Sequence, residues 1–378
     1  MNQTRCAALA ALLLSAGAQA ETSADYIETR HGTAPGWPLR LTEGGITAVG
    51  QTAGDDRADA ELTASLDLLF TLDHGPGHWS IYIEGNTTPD PGGVALQIPD
   101  ANGDAGSALD RRARGRLQFS EFHYVWPISE RRALLAGLID PTTSLDTSEI
   151  ANDETAQFLT ASLINNPTIG FPDYTLGVVY NHGFSDGHGF TLMLTGSHGL
   201  ADNPKATYAE LFELGEEEKG VFAATEYQWT TDGLRLVAGA WLNGGDHEDL
   251  DGSGDSHGNH GVYASLDLRT GGAGWNLRAG AADDRVSRNA RFLSTAVEYP
   301  LERIVLGAGV ARSWLSGRDA TPGLDHATQV ELHARFELDD HVSLTPVVQW
   351  LEHPGFEADG ARVDARVTVF AVRANVTF

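Results

Sequence analysis

Charged side chains recur at every second position of the segment QVELHARFELDD, residues 329–340. They alternate with apolar residues, so a strand here would have one charged face and one apolar face. Carboxylate, imidazole and guanidinium groups along one wall could exchange hydrogen bonds with the hydroxyl groups of an uncharged solute. The same alternation elsewhere gives a set of candidate lining residues: Arg116, Gln118, Tyr263, Asp267, Arg269, Arg278, Glu298, Glu331, His333, Arg335, Gln349 and Arg373. Taken singly, each is better explained as a solvated polar residue, and only the whole set indicates a polar track.

Acidic residues have a different spacing in the segment DLDGSGD. Asp249, Asp251, Ser253 and Asp255 occupy alternate positions, as oxygen ligands do in calcium loops. An EF-hand is excluded because position twelve is His260 rather than glutamate, and a solvated acidic loop is the favoured interpretation. The signatures G-x-S-x-G, H-E-x-x-H and the P-loop are absent from the sequence, and no cofactor is implied. A Ser–His pair between strands stays open as an enzymatic alternative.

The amino-terminal residues and the charge balance restrict the class of protein. Residues 1–20 contain Arg5, an apolar run and the tripeptide AQA, which predict a secretory signal peptide. Its removal would also remove Cys6, the only cysteine, so the mature chain would have no thiol. The chain has 25 Lys and Arg against 52 Asp and Glu, and loss of Arg5 would leave 24 − 52 = −28. Nucleic acid is disfavoured as a partner, because its binding needs clustered cations.

Alternating segments occur along the whole chain after the signal peptide, and they predict sixteen strands. Most have the roughly 9–11 residues that a tilted membrane strand needs. The predicted strands are 45–53, 60–72, 77–86, 115–126, 131–138, 174–183, 188–197, 221–229, 233–242, 260–269, 274–282, 291–299, 303–314, 327–338, 341–351 and 365–378.

The connections between these strands alternate between short and long. The short ones are 73–76, 127–130, 184–187, 230–232, 270–273, 300–302 and 339–340, whereas the longest of the others are 87–114, 139–173 and 198–220. Outer-membrane barrels have short periplasmic turns and longer extracellular loops. We therefore predict an all-β fold, a 16-stranded antiparallel transmembrane β-barrel in contact with outer-membrane lipid. A soluble β protein is the alternative.

The connection 139–173 is the longest, and it carries an apolar pattern that could form a short helix after Asn152 or Asp153 and before Pro167. A loop of this length is commonly functional or disordered, and its apolar residues argue against disorder. One hypothesis is that it folds into the barrel and narrows the pore. An external lid packed on neighbouring loops is about equally compatible with its composition.

Three stretches resemble the carbohydrate-selective porins, the OprB-type family of Gram-negative outer membranes. GWPLRLTEGGITAVG is similar to the family's segment before the barrel, LLAGLIDPTTSLDTSEIANDETAQFLTASLINNPTIGFP to its strand and long third loop, and VSLTPVVQWLEHPG with VFAVRANVTF to its closing strands. With the signal peptide predicted at 1–20, the resemblance implies a short periplasmic segment at 21–44 and a porin barrel at 45–378. It also implies that the third loop is folded into the pore.

From this resemblance we expect passive diffusion of small neutral sugars across the outer membrane of a Gram-negative bacterium. The constriction would use loop residues Asp146, Glu149, Asn152, Asp153 and Gln157. The alternatives are a general, cation-preferring porin without sugar specificity, a lipid-hydrolysing barrel enzyme, and a plugged structural barrel. A homo-oligomer is compatible with each of them.

Overall fold

The computed structural model describes residues 39–184, 187–201, 207–212, 219–318, 324–356, 361–362 and 364–378. Sixteen long strands pair antiparallel with their sequence neighbours and form a closed barrel. The predicted signal peptide and residues 21–38 of the predicted periplasmic segment lie outside the described residues.

All sixteen predicted strands are present. The barrel strands are β1 Leu39–Ala53, β2 Glu61–His74, β3 Gly77–Asn86, β4 Leu117–Ser129, β5 Arg132–Ile139, β6 Thr175–Gly183, β7 His188–Gly196, β8 Val221–Thr231, β9 Leu234–Glu248, β10 Ser256–Thr270, β11 Ala273–Ala282, β12 Asn289–Leu301, β13 Ile304–Leu315, β14 His326–Glu337, β15 Val342–Glu352 and β18 Arg366–Thr377. A small hairpin, β16 Gly355–Phe356 with β17 Ala361–Arg362, lies between β15 and β18.

The barrel closes between its first and last strands. β1 pairs with β18 from Gly45 opposite Thr377 to Ala53 opposite Val369. The Phe378 amide donates to the Gly44 carbonyl at 2.9 Å. A Cβ at Gly44 would lie 2.7 Å from the Phe378 ring, so a glycine at this position leaves room for the ring. β1 begins at Leu39 rather than at 45, because residues before Gly44 continue the pairing with β2 beyond a bulge.

Exposed and buried faces are inverted relative to a soluble protein. On β14, Leu332 is 56% exposed whereas its neighbour Glu331 is fully buried, and on β18 Phe370 is 48% exposed whereas Arg373 is fully buried. Apolar side chains therefore cover the outside of the barrel and polar side chains its inside, the arrangement expected of a barrel surrounded by lipid.

The connections alternate in length as predicted. Loop 2 (87–116), loop 3 (140–174) and the described parts of loop 4 (197–201, 207–212 and 219–220) lie at one end of the barrel. Tight turns such as 271–272 and 302–303 lie at the other end. Loop 2 contains helix α1 (Val94–Gln97) and loop 3 contains helix α2 (Ala161–Ile164), with 3-10 turns at Pro99–Ala101, Pro141–Thr143 and Tyr208–Phe212. Within the described part of the chain, every helix is too short or too polar to cross a membrane.

Candidate functional site: the polar interior

One arginine on the inward face of β11, Arg278, forms hydrogen bonds with loop 3. The Arg278 guanidinium donates to the carbonyls of Ile164 and Ala151 at 2.9 Å and of Asp146 at 3.1 Å. Its Nε lies 3.1 Å from the Asp146 carboxylate, and both side chains are almost completely buried. An irregular loop leaves its carbonyls without partners, and a guanidinium has enough donors to satisfy several of them at once.

Four other inward arginines contact the same loop. Arg373 on β18 donates to the carbonyls of Glu154 at 2.7 Å and Gln157 at 2.9 Å. Arg335 on β14 donates to the Ala156 carbonyl at 2.8 Å. In two further contacts, the Arg235 guanidinium on β9 donates to the Thr147 carbonyl, and Arg269 on β10 pairs with Glu149 at 3.1 Å. Loop 3 is thus bound by cations from five strands.

Inward carboxylates satisfy the amide groups of the loop. Glu331 on β14 accepts from the amides of Leu159 at 3.0 Å and Thr160 at 2.8 Å, and from the Thr160 hydroxyl at 2.7 Å. In β10, Asp267 accepts from the Glu149 amide at 2.8 Å. Because both the donors and the acceptors of the loop backbone meet charged partners on the wall, the loop is held with only short helical segments of its own.

Apolar side chains of the loop fill the spaces between these polar contacts. Phe158, Leu163 and Ile164 form one cluster with inward residues of β12 and β13, such as Phe292 and Ala311. Leu159 packs against Val49, Val347 and Ala371, and Leu145 and Ile169 pack in a third cluster with inward residues of β5 to β10. The loop therefore contacts inward residues around most of the barrel.

Two inward glycines allow the loop to approach the wall closely. A Cβ at Gly309 would lie 2.6 Å from a Leu163 methyl group and 3.0 Å from the Phe158 ring. A Cβ at Gly280 would lie 2.0 Å from the Thr168 hydroxyl. A side chain at either position would displace loop 3 from the wall.

Loop 2 contacts loop 3 and the same wall. The Gly103 amide donates to the Leu159 carbonyl at 2.9 Å, and Gln349 on β15 donates to the Ala101 carbonyl at 2.8 Å and to the Thr160 hydroxyl at 3.0 Å. Val94 and Ile98 pack on inward residues of β15 and β18. The two connections and the wall form one hydrogen-bonded body.

Two loop carboxyl groups have perturbed proton affinity. Burial raises the pKa of Asp146 from 3.8 to about 7, although the Arg278 charge opposes the shift. Burial, reinforced by the charge of Asp67, raises the pKa of Asp104 to about 7. Both groups therefore titrate near neutral pH, whereas an exposed aspartate would be ionised well below it.

Some charged groups of the interior stay accessible. Arg269 and Glu149 are more than half exposed, and Glu298 and Arg335 keep part of their side-chain surface. Asp153 of loop 3 is half-buried and interacts electrostatically with Glu298 on β12 and with Asp67 on β2. The accessible groups of the interior therefore carry charges of both signs.

Most of the lining residues predicted from the sequence are buried inside the barrel, among them Arg278, Glu331 and Arg373. Tyr263 donates to Glu226 at 2.8 Å, and His333 lies edge-on to the Phe158 ring with centroids 4.9 Å apart. The Gln118 side chain donates to the Ser107 carbonyl at 3.1 Å and accepts from the Arg116 guanidinium. Gln118 and Arg116 therefore support loop 2 rather than loop 3.

Several inward residues that contact loop 3 were not predicted from the sequence, among them Glu226, Arg235 and Gln329, which accepts from the Ser162 amide at 3.3 Å. Glu226 on β8 accepts from the Asp146 amide at 2.6 Å, and Arg235 also donates to the Thr147 hydroxyl at 2.7 Å. Both alternate with outward residues in VFAATEYQW and LRLVAGA, so the period-two pattern could have found them.

The helix predicted in loop 3 is mostly replaced by turns. Asp153 accepts from the amides of Thr155 and Ala156, as an N-cap would, but the only helix of the described loop is α2. The Asn152 and Asp153 amides instead donate to the side-chain oxygen of Gln157. Contacts with Glu331 and the arginines replace the internal hydrogen bonds that a longer helix would have made.

The acidic 249–255 loop makes local contacts. The Asp249 carboxylate lies 2.7 Å from His257 Nδ1, and Asp251 accepts from the Ser253 amide at 2.9 Å. Across the described ranges, no group of three or more histidine, cysteine or acidic side chains has an arrangement that could hold a metal ion. The calcium interpretation of Asp249, Asp251 and Asp255 gains no support.

No protein-family model matches the sequence. A protein of Aquifex aeolicus (strain VF5), described only as uncharacterized, is 36% identical over 93 residues, which cover 25% of this chain and 29% of that protein. The match therefore spans less than a third of that relative.

Solved structures with the same fold cover nearly all of the chain. The high-pH structure of Pseudomonas putida OprB has a TM-score of 0.69 at 14% identity, covering 90% of this chain and 94% of that one. The outer-membrane expressed OmpT of Vibrio cholerae has a TM-score of 0.57 at 12% identity, covering 91% and 99%. A double mutant of the Rh. blastica porin has a TM-score of 0.51 at 14% identity, covering 90% and 100%. At these identities the similarity shows the fold, a closed barrel like those of porins.

Proposed function

We propose that this protein is a porin of a Gram-negative outer membrane and that small neutral carbohydrates diffuse through it. The observation that carries the proposal is a closed sixteen-stranded barrel with an apolar outside and a charged inside to which a long loop is bound. A barrel of this size is too wide for its lumen to be filled by side chains alone. The fold similarity to OprB and to the Rh. blastica porin supports this class of function.

In this proposal, loop 3 is folded into the pore and forms the constriction. Support comes from its contacts with inward side chains on strands from β8 to β18, whereas an external lid would contact loops only. Glu149, Asp153 and Gln157 would border the passage on the loop side, with Asp146 and Asn152 anchored behind them. Arg269, Glu298 and Arg335 would face them from the barrel wall.

Neutral sugars suit this lining because their hydroxyl groups both donate and accept hydrogen bonds. Accessible carboxylates would accept from a sugar hydroxyl while neighbouring guanidinium groups donate to it, and these bonds would replace those to water. Binding must stay weak, since a tightly held sugar would leave slowly. No energy source or cofactor takes part.

The proposal is tested by conductance of single channels in planar bilayers. A sugar that enters the constriction should reduce ion current in a concentration-dependent way, and liposomes should swell faster with sugars than with amino acids of equal size. Glu298→Gln and Arg335→Gln should weaken sugar block. Equal swelling rates would refute sugar selectivity, and conductance near zero would favour a plugged structural barrel.

A general porin that prefers cations is the second candidate. It is favoured by the formal net charge of −27 and by the electrostatic grouping of Glu43, Asp67 and Asp153. A reversal potential strongly selective for cations, without block by any sugar, would support it. A lipid hydrolase has less support: the Ser197 hydroxyl of the GSHG segment lies 2.9 Å from His198 Nδ1, but Ser197 is buried and its hydroxyl already accepts from the Gly220 amide at 2.8 Å.

A further inference from the structure

Two arginines face outward near the long-loop end of the barrel. Arg291 on β12 and Arg312 on β13 alternate with the inward, buried residues Phe292 and Ala311. Arg291 lies opposite Trp314, and Arg312 lies opposite Leu293. The two guanidinium groups are therefore diagonal neighbours on one patch of the apolar exterior.

In the described part of the chain these arginines are not held in ion pairs, although the charge of Arg312 acts on the Asp325 carboxylate from beyond ion-pair distance. Neither of them forms an ion pair with a carboxylate of the described residues, and the buried Arg312 Nε has no hydrogen-bond partner there. The Arg312 guanidinium carbon lies 5.8 Å from the centre of the Trp314 ring. Arg366, which also faces outward at this end, is different, because it pairs with Glu352 at 2.8 Å.

A groove opens beside the pair. It has a volume of about 340 Å³ and is lined by Gly280, Ala281, Arg291, Phe292, Leu293 and Trp314. On β11 the outward residue opposite Arg291 is Ala281 and the one opposite Leu293 is Ala279, so small side chains leave a depression between larger ones. The groove is mainly apolar, with a cation at its edge.

The height of the patch corresponds to a lipid head group. Arg312 follows Ile304, the first residue of β13, by eight positions. At roughly 3.3 Å per residue and a tilt of about 40°, it lies ~20 Å above the short-turn end of the strand. The apolar band of such barrels is about 25 Å tall, which puts both guanidinium groups near its outer edge.

We propose that this patch binds a phosphorylated glycolipid of the outer leaflet, such as the lipid A part of lipopolysaccharide. A lipid phosphate would accept hydrogen bonds from Arg291 and Arg312, and an acyl chain would occupy the groove beside Leu293 and Trp314. A cation facing lipid destabilises a barrel unless an anion compensates it, and among the described residues neither Arg291 nor Arg312 forms an ion pair, Asp325 acting on Arg312 from a longer distance. The inference rests on the outer-membrane placement proposed above.

The test measures lipid binding to the purified protein in detergent micelles by native mass spectrometry. Probes are lipid A with two phosphates, with one and with none. We expect the unmodified protein to retain the bisphosphorylated form best, and Arg291→Gln/Arg312→Gln to reduce its retention at least tenfold. Arg366→Gln is the matched control, since that outward arginine already has a partner, and it should leave retention unchanged.

Several results would overturn the proposal. One is equal retention of lipid A without phosphate by the unmodified protein, a measurement that needs no variant. Another is unchanged retention by the folded double variant, with folding checked by heat-modifiable mobility on gels. If the double variant instead dissociates an oligomer, the patch is an interface between copies. Channel conductance should be the same in the double variant, so failure here is separable from failure of the proposed porin function.

Discussion

Replacing Arg278 with alanine tests how loop 3 is held. The substitution removes a buried guanidinium that donates to three loop carbonyls within 3.1 Å and pairs with the Asp146 carboxylate. It leaves that carboxylate buried without its cation, and it leaves a cavity where the side chain was.

The expected loss of stability is large. Breaking one partner of a buried ion pair costs about 3–5 kcal/mol, and water from the lumen should satisfy part of the freed carbonyls. We therefore expect a decrease of ~3–4 kcal/mol in the free energy of unfolding near pH 8. The decrease should be smaller near pH 5, because Asp146, whose pKa is already about 7, is then neutral.

The assay is urea-induced unfolding in lipid vesicles followed by tryptophan fluorescence, combined with single-channel recording. The variant should show larger and noisier conductance, since loop 3 loses its main polar anchor. Arg303→Ala is the control, because Arg303 is exposed and pairs only loosely with Asp340, and it should change stability by less than about 0.5 kcal/mol. A folded Arg278→Ala barrel with unaltered stability and conductance would refute this account of the loop.

Three other perturbations address the same architecture. Glu331→Gln should cost about 2–3 kcal/mol in urea titrations, because a neutral amide cannot accept from the Leu159 and Thr160 amides as strongly as the buried carboxylate does; a change below ~0.5 kcal/mol would contradict this. Gly309→Val should destabilise by about 1–3 kcal/mol and alter conductance, since its side chain would overlap Leu163 and Phe158, and normal values for both would show that the loop can shift freely. Raising the pH from 5 to 7 should lower the free energy of unfolding, because the folded state retains protons on Asp104 and Asp146 up to about pH 7 whereas the unfolded chain loses them near pH 4. Each group contributes a slope of at most ~1.4 kcal/mol per pH unit, and the slope levels off above pH 7. Asp146→Asn should reduce this slope.

The strands were predictable because their signal is local. An inward polar residue and an outward apolar one must alternate wherever a strand separates water from lipid, and Glu331 beside Leu332 shows this pattern within two positions. The predicted strand boundaries are wrong where this alternation of polar and apolar residues is no longer required. β9 and β10 extend six and four residues beyond their predicted limits, to Glu248 and from Ser256, where both faces of the hairpin are polar and no alternation is required.

The contacts of loop 3 were not predictable from the sequence. The acceptors of Arg278 and Arg373 are main-chain carbonyls, which every residue has and which leave no trace in residue type. Apolar spacing in the loop suggested a longer helix, yet tertiary contacts with charged side chains replaced its internal hydrogen bonds. The outward arginines Arg291 and Arg312 were not predicted as a site for a different reason, since charged site residues were expected on inward faces.

The way loop 3 is held has a consequence for the order of folding. Glu331 contacts Leu159 from 172 positions later in the chain, and Arg373 contacts Glu154 from 219 positions later. Pairing of neighbouring strands is local and can be fast, whereas these contacts must wait for the carboxyl-terminal strands to arrive. Loop 3 is therefore fixed in place last, and in a nascent chain without β14 and β18 it would lack its contacts with Glu331 and Arg373.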